Sequence, residues 1–528
     1  MTSADGPAAP GEQDDTSGPA VGQRTSGRRL FRNTAAGAGA SFISMIVALA
    51  LIPFLINRLG EEAYGVWVLA LSFSLAGGYL SLADLGLQAS LVKFVAEVSV
   101  ATDGRKRVES FVGSATLLFG VMGLVAAAVL IVLALTSSTL FNVAADLQVA
   151  LRTLLLMLAA EALIGMPALS ALGLLEGLQR YGLIRAVEVG RHLMFAGAAI
   201  VVVGGGGGVV ALGVVSVVAA VMGHLTLLIA ARITWGKFIH PRFHRTSLLQ
   251  LSRFGGWLSV TKVVGTIWRQ MDKTILSVMV SVSVLAPYDV ASRLQGAAAS
   301  VLSFTSSAVL PVASALTADS DVGRLHALLL RGTRYTLALS IPTALAGIVL
   351  APDLLEHWIG HELPDAAIAV RLFLSYQLFL GAATIALSLL YGLGEVRAAA
   401  RIALLALGLN LGASLLLAPT YGVRGVVLAT VLAYASSTVL YVRLTLRVTG
   451  LTWRTYLAGC IAPLMPWAAV FIALLVGMRM AWRPGSLLEV FLLPLVPGVA
   501  YAAGVGFVAF SGEERALVRG YLRKDNRR

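Results

Sequence analysis

Three cationic side chains lie inside a segment that is otherwise apolar enough to cross a membrane. Residues 254–280 contain Lys262, Arg269 and Lys273 as well as Asp272. On a helix that turns by about 100° per residue, the three cations fall within about 40° of one another and form one stripe. A charge at the centre of a membrane helix costs about 2.5–3.5 kcal/mol. This cationic stripe therefore predicts a wet cavity that holds an anion, which Arg binds through two parallel hydrogen bonds and Lys as a point charge.

Further charged side chains in the neighbouring predicted spans fall into two groups. Arg293 is predicted to face the same cavity, so the predicted anion-binding residues are Arg269, Lys262, Lys273 and Arg293. Three carboxylates are candidates for coupling transport to an ion, because a carboxylate inside a membrane can take up a proton or pair with a cation. These candidates are Glu161, Asp272 and Asp84.

Several of these residues have a structural alternative. Asp84 could stabilise a kink before Gly86 instead of coupling an ion. Arg269 and Asp272 are three residues apart, so on a helix they could partly neutralise each other. Asn410, in a later span, could help to bind a cation or could donate a hydrogen bond between helices.

No metal site, cofactor motif or catalytic group is predicted. The single cysteine, Cys460, excludes a disulfide framework and a cysteine-rich metal site. His240 and His244 have metal-like spacing but no third ligand nearby. The glycine run 204–208 is not followed by Lys-Ser or Lys-Thr, as a phosphate-binding loop would be. The chain is therefore not predicted to be an enzyme.

The composition indicates an all-α polytopic membrane protein. Of the 528 residues, 58% are hydrophobic and 13% are charged, and the mean hydropathy is +0.84. Apolar stretches recur that have the roughly 20-residue length a helix needs to cross a bilayer. Fourteen transmembrane helices are predicted, at 34–56, 66–84, 111–135, 151–175, 186–203, 209–230, 254–280, 286–310, 335–350, 366–390, 402–417, 426–444, 456–476 and 487–510.

The distribution of lysine and arginine predicts the topology. An even number of spans places both termini on one side. With the termini cytoplasmic, 30 of the 40 Lys and Arg residues fall on the inner side, six on the outer side and four within the membrane. Positive residues are enriched in cytoplasmic loops, so both termini are predicted to be cytoplasmic, and the net charge of +13 does not imply nucleic acid binding.

Two short stretches of sequence repeat at nearly the same separation. Residues 174–179 (LLEGLQ) match 389–394 (LLYGLG), and the GVV at 208–210 matches the one at 425–427. Chance similarity among apolar helices is the alternative to a true repeat. A true repeat predicts two six-helix lobes related by a parallel pseudo-two-fold axis, plus two C-terminal helices. The predicted domains are a disordered cytoplasmic tail 1–27, an N-lobe 28–231, a basic cytoplasmic linker 232–253, a C-lobe 254–447, spans 13–14 at 448–511, and a basic cytoplasmic tail 512–528.

Several motifs resemble the polysaccharide (O-antigen type) flippases of the multidrug/oligosaccharidyl-lipid/polysaccharide exporter superfamily. Members of that family typically read Arg-Leu-Gly-x-x-x-Tyr-Gly after span 1 and Asp-Leu-Gly-Leu at the end of span 2. The resemblance covers about residues 28–454. The matching positions are Arg58, Leu59, Gly60, Tyr64, Gly65, Asp84, Leu85, Gly86, Leu87, Asp272 and Tyr288.

The resemblance implies a transporter, and neither an enzymatic activity nor a cofactor is predicted. Its substrate would be a polyprenyl-pyrophosphate-linked oligosaccharide, moved from the cytoplasmic to the outer leaflet by alternating access and coupled to a proton or sodium gradient. Its implied partners are that substrate, membrane lipid and polysaccharide polymerase or assembly proteins. The predicted location is the bacterial plasma (inner) membrane.

Two other functions compete with this prediction. A drug/cation antiporter of the same superfamily would favour buried carboxylates in its cavity, whereas span 7 here is cationic. A membrane polysaccharide polymerase or ligase would need a sizeable outer loop with acid and base groups, and the largest predicted outer loop has only about a dozen residues, 353–365. The flippase therefore ranks first.

Overall fold

A computed structural model describes residues 26–99, 103–306, 322–361 and 363–508. In these ranges all regular secondary structure is helical, which confirms the predicted all-α class. Three predicted segments lie outside the described residues: most of the tail 1–27, of which only residues 26 and 27 are described, the tail 512–528, and the end of predicted span 8.

The helices form two bundles and a C-terminal extension. The first bundle, called the N-lobe, contains α1 Ser26–Leu59, α2 Glu61–Leu71, α3 Leu87–Val98, α4 Gly104–Leu140, α5 Gln148–Gly177, α6 Tyr181–Gly204 and α7 Val209–Trp235. The second, called the C-lobe, contains α8 Arg245–Met279, α9 Leu285–Ser306, α10 Val322–Ile359, α11 Pro364–Gly392 and α12 Val396–Thr449. The extension contains α13 Trp453–Tyr456, α14 Met465–Ala481, α15 Leu487–Leu492 and α16 Leu495–Val508.

The two lobes share one packing pattern. In the N-lobe, α4 packs on α5, α5 on α7 and α1 on α6. In the C-lobe, α10 packs on α11, α11 on α12 and α8 on α12 in the same way. This recurrence agrees with the repeat predicted from the two sequence matches.

Nine helices in the described ranges are long and apolar enough to cross a membrane, or ten if the bent pair Trp453–Ile461 and Met465–Ala481 forms one span. The helix α12 has 54 residues, more than twice what a bilayer requires, and it breaks at Gly422, where φ is +54°. It thus covers predicted spans 11 and 12. The total of fourteen spans stays a prediction, while the chain is a multi-span membrane protein.

Lipid-facing surfaces are visible as exposed apolar stripes. On α4, Leu124, Val125 and Val132 expose about 60% of their surface and recur at helical spacing (63%, 59% and 60%). In water such a stripe would be an aggregation surface, whereas in a bilayer it faces acyl chains. By contrast, α2, α8 and α9 are not among the nine long apolar helices, and α8 and α9 carry most of the charged side chains described below.

Predicted span 2 is not continuous. Helix α2 ends at Leu71, a 3₁₀ helix covers Tyr79–Asp84, and Leu85 and Gly86 adopt left-handed conformations before α3 begins. The backbone N–H of Gly86 donates to Asp84 Oδ1 at 2.8 Å. Asp84 therefore stabilises a kink, as the structural alternative for this residue predicted.

The predicted linker 232–253 is mostly helical. Helix α7 continues to Trp235 and ends at Gly236, whose φ of +88° suits a helix C-terminus. Helix α8 begins at Arg245, because its first turns bury Leu251 against the N-lobe. The non-helical segment is therefore 236–244.

Candidate functional site

A cavity of about 360 Å³ lies between the lobes. Its wall combines apolar side chains from α1 and α2 with ionisable side chains from α5, α6, α8 and α9. Three cations and two acids line it, which leaves one net positive charge. These side chains are Arg191, Lys273, Arg293, Glu161 and Asp289.

Asp289 is the centre of a buried charge cluster at this cavity. Only 1% of the residue is exposed. Its Oδ1 lies 3.2 Å from Lys273 Nζ, and its Oδ2 lies 2.5 Å from Arg293 Nε. The Tyr64 hydroxyl donates to the same Oδ2 at 2.9 Å. This set of four residues is called the Asp289 cluster below.

The Asp289 cluster keeps one positive charge that no carboxylate within it balances. One carboxylate faces two cations, and the Arg293 and Lys273 side chains keep 34% and 16% of their surface accessible. Arg293 uses its Nε on Asp289, so its other donors can serve a ligand in the cavity. Lys273 and Arg293, both predicted as anion-binding residues, are therefore brought together by the fold.

Asp289 and Tyr64 were not singled out as site residues from the sequence. A signal was present, since Asp289 and Arg293 lie four residues apart in a predicted span, and an intramembrane carboxylate is a functional candidate by default. Nothing local in the sequence points to the hydroxyl of Tyr64, which is 225 residues away.

Arg269 lies between the two ends of the cationic stripe and is exposed. Its Nη2 donates to Thr266 Oγ1 at 3.1 Å. Within the described part of the chain, no carboxylate lies within the 4.0 Å of an ion pair with Arg269, so the predicted pairing with Asp272 does not form. The Arg269 guanidinium therefore has further donors that are available to a ligand.

Lys262 lies at the middle of α8 and pairs with the N-lobe. Its Nζ lies 2.5 Å from Asp84 Oδ2, and Asp84 exposes only 4% of its side chain. Nearby, the Phe254 ring packs edge-on against Phe94, and Lys93 lies 4.2 Å from the centre of the Phe254 ring. The fold therefore separates Lys262 from Lys273, since eleven residues of helix span about 16 Å.

The Asp84–Lys262 pair predicts a measurable coupling. Lys262→Met leaves a buried carboxylate without its cation, which costs about 3–5 kcal/mol, whereas replacing both partners costs much less. We expect Lys262→Met to lower the midpoint of thermal unfolding clearly and Asp84→Asn/Lys262→Met to recover most of that loss. Additive losses in the double variant would show that the pair contributes nothing to stability.

Asp272 lies in a separate cluster inside the C-lobe. Its Oδ2 accepts from the Tyr288 hydroxyl at 3.0 Å and from Thr430 Oγ1 at 2.9 Å. Asn410 Oδ1 lies 3.3 Å from the same Thr430 hydroxyl and 3.2 Å from Ser414 Oγ. Three helices, α8, α9 and α12, supply these groups.

This C-lobe cluster leaves buried polar atoms unpaired. Asp272 Oδ1 and Asn410 Nδ2 have no hydrogen-bond partner among the described residues, and the single Thr430 hydroxyl proton cannot serve both Asp272 and Asn410. Buried acceptors without donors are costly unless a proton or a cation satisfies them. Carboxylate, amide and hydroxyl oxygens are ligands of hard cations. The arrangement therefore suits a small cation or a proton.

Glu161 lies at the N-lobe wall of the cavity. It is 7% exposed, and its Oε1 is 3.4 Å from His224 Nε2. On α6, Arg191 and His192 line the same cavity. Of the predicted ion-coupling residues, the fold therefore places Glu161 at the inter-lobe cavity, Asp272 in the C-lobe cluster and Asp84 at the kink.

Comparison with known proteins gives a family assignment. A sequence profile for polysaccharide biosynthesis proteins matches residues 30–317, more than half of the chain. The chain belongs to this family. The match confirms the resemblance predicted from the motifs around Tyr64 and Asp84.

One curated relative shares a long stretch of sequence with this chain. The probable flippase AglR of Haloferax volcanii is 26% identical over 211 residues, which are 39% of this chain and 44% of that protein. The chain thus aligns with less than half the length of this curated relative.

Solved structures show the fold. The inward closed conformation of the lipid II flippase MurJ matches with a TM-score of 0.69 and 13% identity, over 90% of this chain and 98% of that one. An inward-facing multidrug resistance MATE family transporter of the MOP superfamily matches with a TM-score of 0.57 and 15% identity, over 76% and 98%. At these identities the likeness establishes a common fold and nothing about substrate.

Proposed function

We propose that the protein is a lipid-linked oligosaccharide flippase that moves a polyprenyl-pyrophosphate-linked glycan from the cytoplasmic to the outer leaflet by alternating access. The observation that carries the proposal is the inter-lobe cavity with one net positive charge. On α8, the helix that supplies Lys273 to this cavity, Arg269 has no carboxylate partner among the described residues. A pyrophosphate linkage is the anionic part of such a substrate. Arg269, Lys273 and Arg293 would bind it.

The cation coupling belongs to the same proposal. The Asp272 cluster would hold a sodium ion or a proton, and Glu161 would be a second candidate. Two pairs of consecutive residues connect the cation site with the anion site: Asp272 bonds to Tyr288, while Lys273 pairs with Asp289. In this proposal, occupation of one site shifts helices α8 and α9 at the other.

A drug/cation antiporter is the alternative within the superfamily. It is less well supported, because a net positive cavity repels cationic drugs.

In the proposed flippase, Lys262 and Asp84 would serve as a contact between the lobes on the cytoplasmic side.

The test is the leaflet in which the lipid-linked oligosaccharide accumulates. We would delete the gene in a strain without a redundant flippase and prepare right-side-out and inside-out membrane vesicles. An impermeant glycan-oxidising reagent would then report the fraction of lipid-linked oligosaccharide in each leaflet. We expect accumulation in the cytoplasmic leaflet, reversed by the wild-type gene and not by an empty plasmid. Unchanged sidedness would contradict the proposal and favour drug export.

A further inference from the structure

The outer side of the cavity is closed by direct contacts between the lobes. Asn142 Nδ2 donates to the Val280 carbonyl at 2.5 Å, and Asn57 Nδ2 donates to the Ile359 carbonyl at 2.7 Å. At Gly65 the backbones of the two lobes are so close that an added Cβ would lie 2.1 Å from the Val282 carbonyl oxygen, which leaves room only for glycine. By the predicted topology, all of these groups lie near the outer surface.

The Asp289 cluster lies just inside this closed surface. Asp289 is four residues from the beginning of α9, which corresponds to a depth of about 6 Å. Tyr64 belongs to α2 of the N-lobe, and Asp289 belongs to α9 of the C-lobe. Their buried hydrogen bond therefore crosses the lobe interface at the outer end of the cavity.

Asp289 occupies the place that a substrate anion would take. Among the described residues it is the only carboxylate within ion-pair distance of Lys273 and Arg293. Both cations line the cavity and are partly accessible from it. A carboxylate carries one negative charge, whereas a pyrophosphate diester carries two and has more acceptor oxygens, so it competes effectively for two cations.

We propose that Asp289 is a built-in counter-anion that keeps the outer side closed until a phosphate-type anion replaces it. When the anion binds Lys273 and Arg293, Asp289 loses its cations and, as a bare buried carboxylate, no longer stays in its position beside Tyr64. The lobes then lose this contact and separate at the outer face. The inference deepens the proposed function, on which it rests for the nature of the anion, and assigns Asp289 and Tyr64 as positioning residues.

The test measures lobe separation and anion affinity in the full-length purified protein. Spin labels would be placed at Val149→Cys in the N-lobe and Tyr421→Cys in the C-lobe, positions that are 72% and 60% exposed. The only native cysteine, the buried Cys460, would be replaced by Ser. Pulsed electron resonance gives the distance distribution with and without inorganic pyrophosphate. The variants are Asp289→Asn, Tyr64→Phe and, as a matched control, Tyr181→Phe at a 38% exposed position.

We expect pyrophosphate to move the wild-type distribution towards longer distances. Tyr64→Phe should be shifted that way without any ligand, while Tyr181→Phe behaves as wild type. Asp289→Asn should bind pyrophosphate about tenfold more tightly, because the internal competitor is gone. A residue with only a structural role would weaken binding when replaced.

Two outcomes would overturn the inference: Tyr64→Phe with an unshifted distribution, or Asp289→Asn with weaker pyrophosphate binding. Because Tyr64→Phe removes a single hydroxyl, it keeps the test informative if Asp289→Asn fails to fold. The experiment uses inorganic pyrophosphate and no lipid-linked oligosaccharide. It therefore tests the counter-anion role of Asp289 separately from the flippase function. The distances and affinities could change as expected while the gene deletion leaves the leaflet sidedness unchanged. That combination would support the counter-anion role of Asp289 and contradict the flippase function.

Discussion

Replacing Arg269 with alanine is expected to reduce outward movement of the lipid-linked oligosaccharide by about 10- to 100-fold, since a charge-assisted hydrogen bond to phosphate contributes about 1.5–3 kcal/mol. Arg269 is exposed and has no carboxylate partner in the described ranges, so removing it breaks no internal ion pair. We therefore expect loss of transport with little change in the midpoint of thermal unfolding.

The measurement is the leaflet distribution in the deletion strain after complementation. Arg152→Ala is the matched control, because Arg152 is also an exposed arginine but lies at the start of α5 and not on the cationic stripe of α8. Arg269→Lys should retain partial activity, since it keeps the charge and loses the bidentate geometry. If Arg269→Ala restores the distribution as well as wild type does, the anion site is not at this part of α8.

Replacing Asp272 with asparagine is expected to abolish the response of the protein to its coupling ion. The variant keeps the shape of the side chain and removes the charge that faces Tyr288 and Thr430. A ligand present at 100 times its dissociation constant stabilises a protein by about 2.7 kcal/mol. In purified wild-type protein we expect the midpoint of thermal unfolding to rise by several degrees when choline chloride is replaced by sodium chloride. Asp272→Asn should show no such rise.

The control for Asp272 is Asp365→Asn. Asp365 pairs with Arg424 at an exposed position, 2.9 Å apart, and such pairs contribute about 0–1 kcal/mol. This variant should keep the full sodium response. If the wild type responds to pH and not to sodium, and Asp272→Asn removes that response, the coupling ion is a proton. An equal ion response in wild type and Asp272→Asn would exclude this cluster as the coupling site.

The family and the type of fold could be predicted because their signals are local. The length and hydropathy of each apolar stretch are enough to predict a membrane span. A charged side chain inside a span has a high free energy of insertion, so Lys262, Arg269 and Asp272 are recognisable as functional candidates from the sequence. The motif around Tyr64 and the bias of Lys and Arg between loops are also readable without any tertiary contact.

Only the tertiary structure decided which charges work together. Asp84 and Lys262 are 178 residues apart, Tyr64 and Asp289 are 225 apart, and Thr430 and Asp272 are 158 apart. Such partners meet through the packing of the two lobes, which helical periodicity does not encode. The four residues of the predicted anion site were therefore divided by the fold: Lys273 and Arg293 share Asp289, Lys262 pairs with Asp84, and Arg269 has no acidic partner in the described ranges. The sequence by itself determined that charged side chains lie within the membrane spans, because the free energy of placing a charge in lipid is a property of each side chain. Their roles depend on neighbours that only the folded chain supplies.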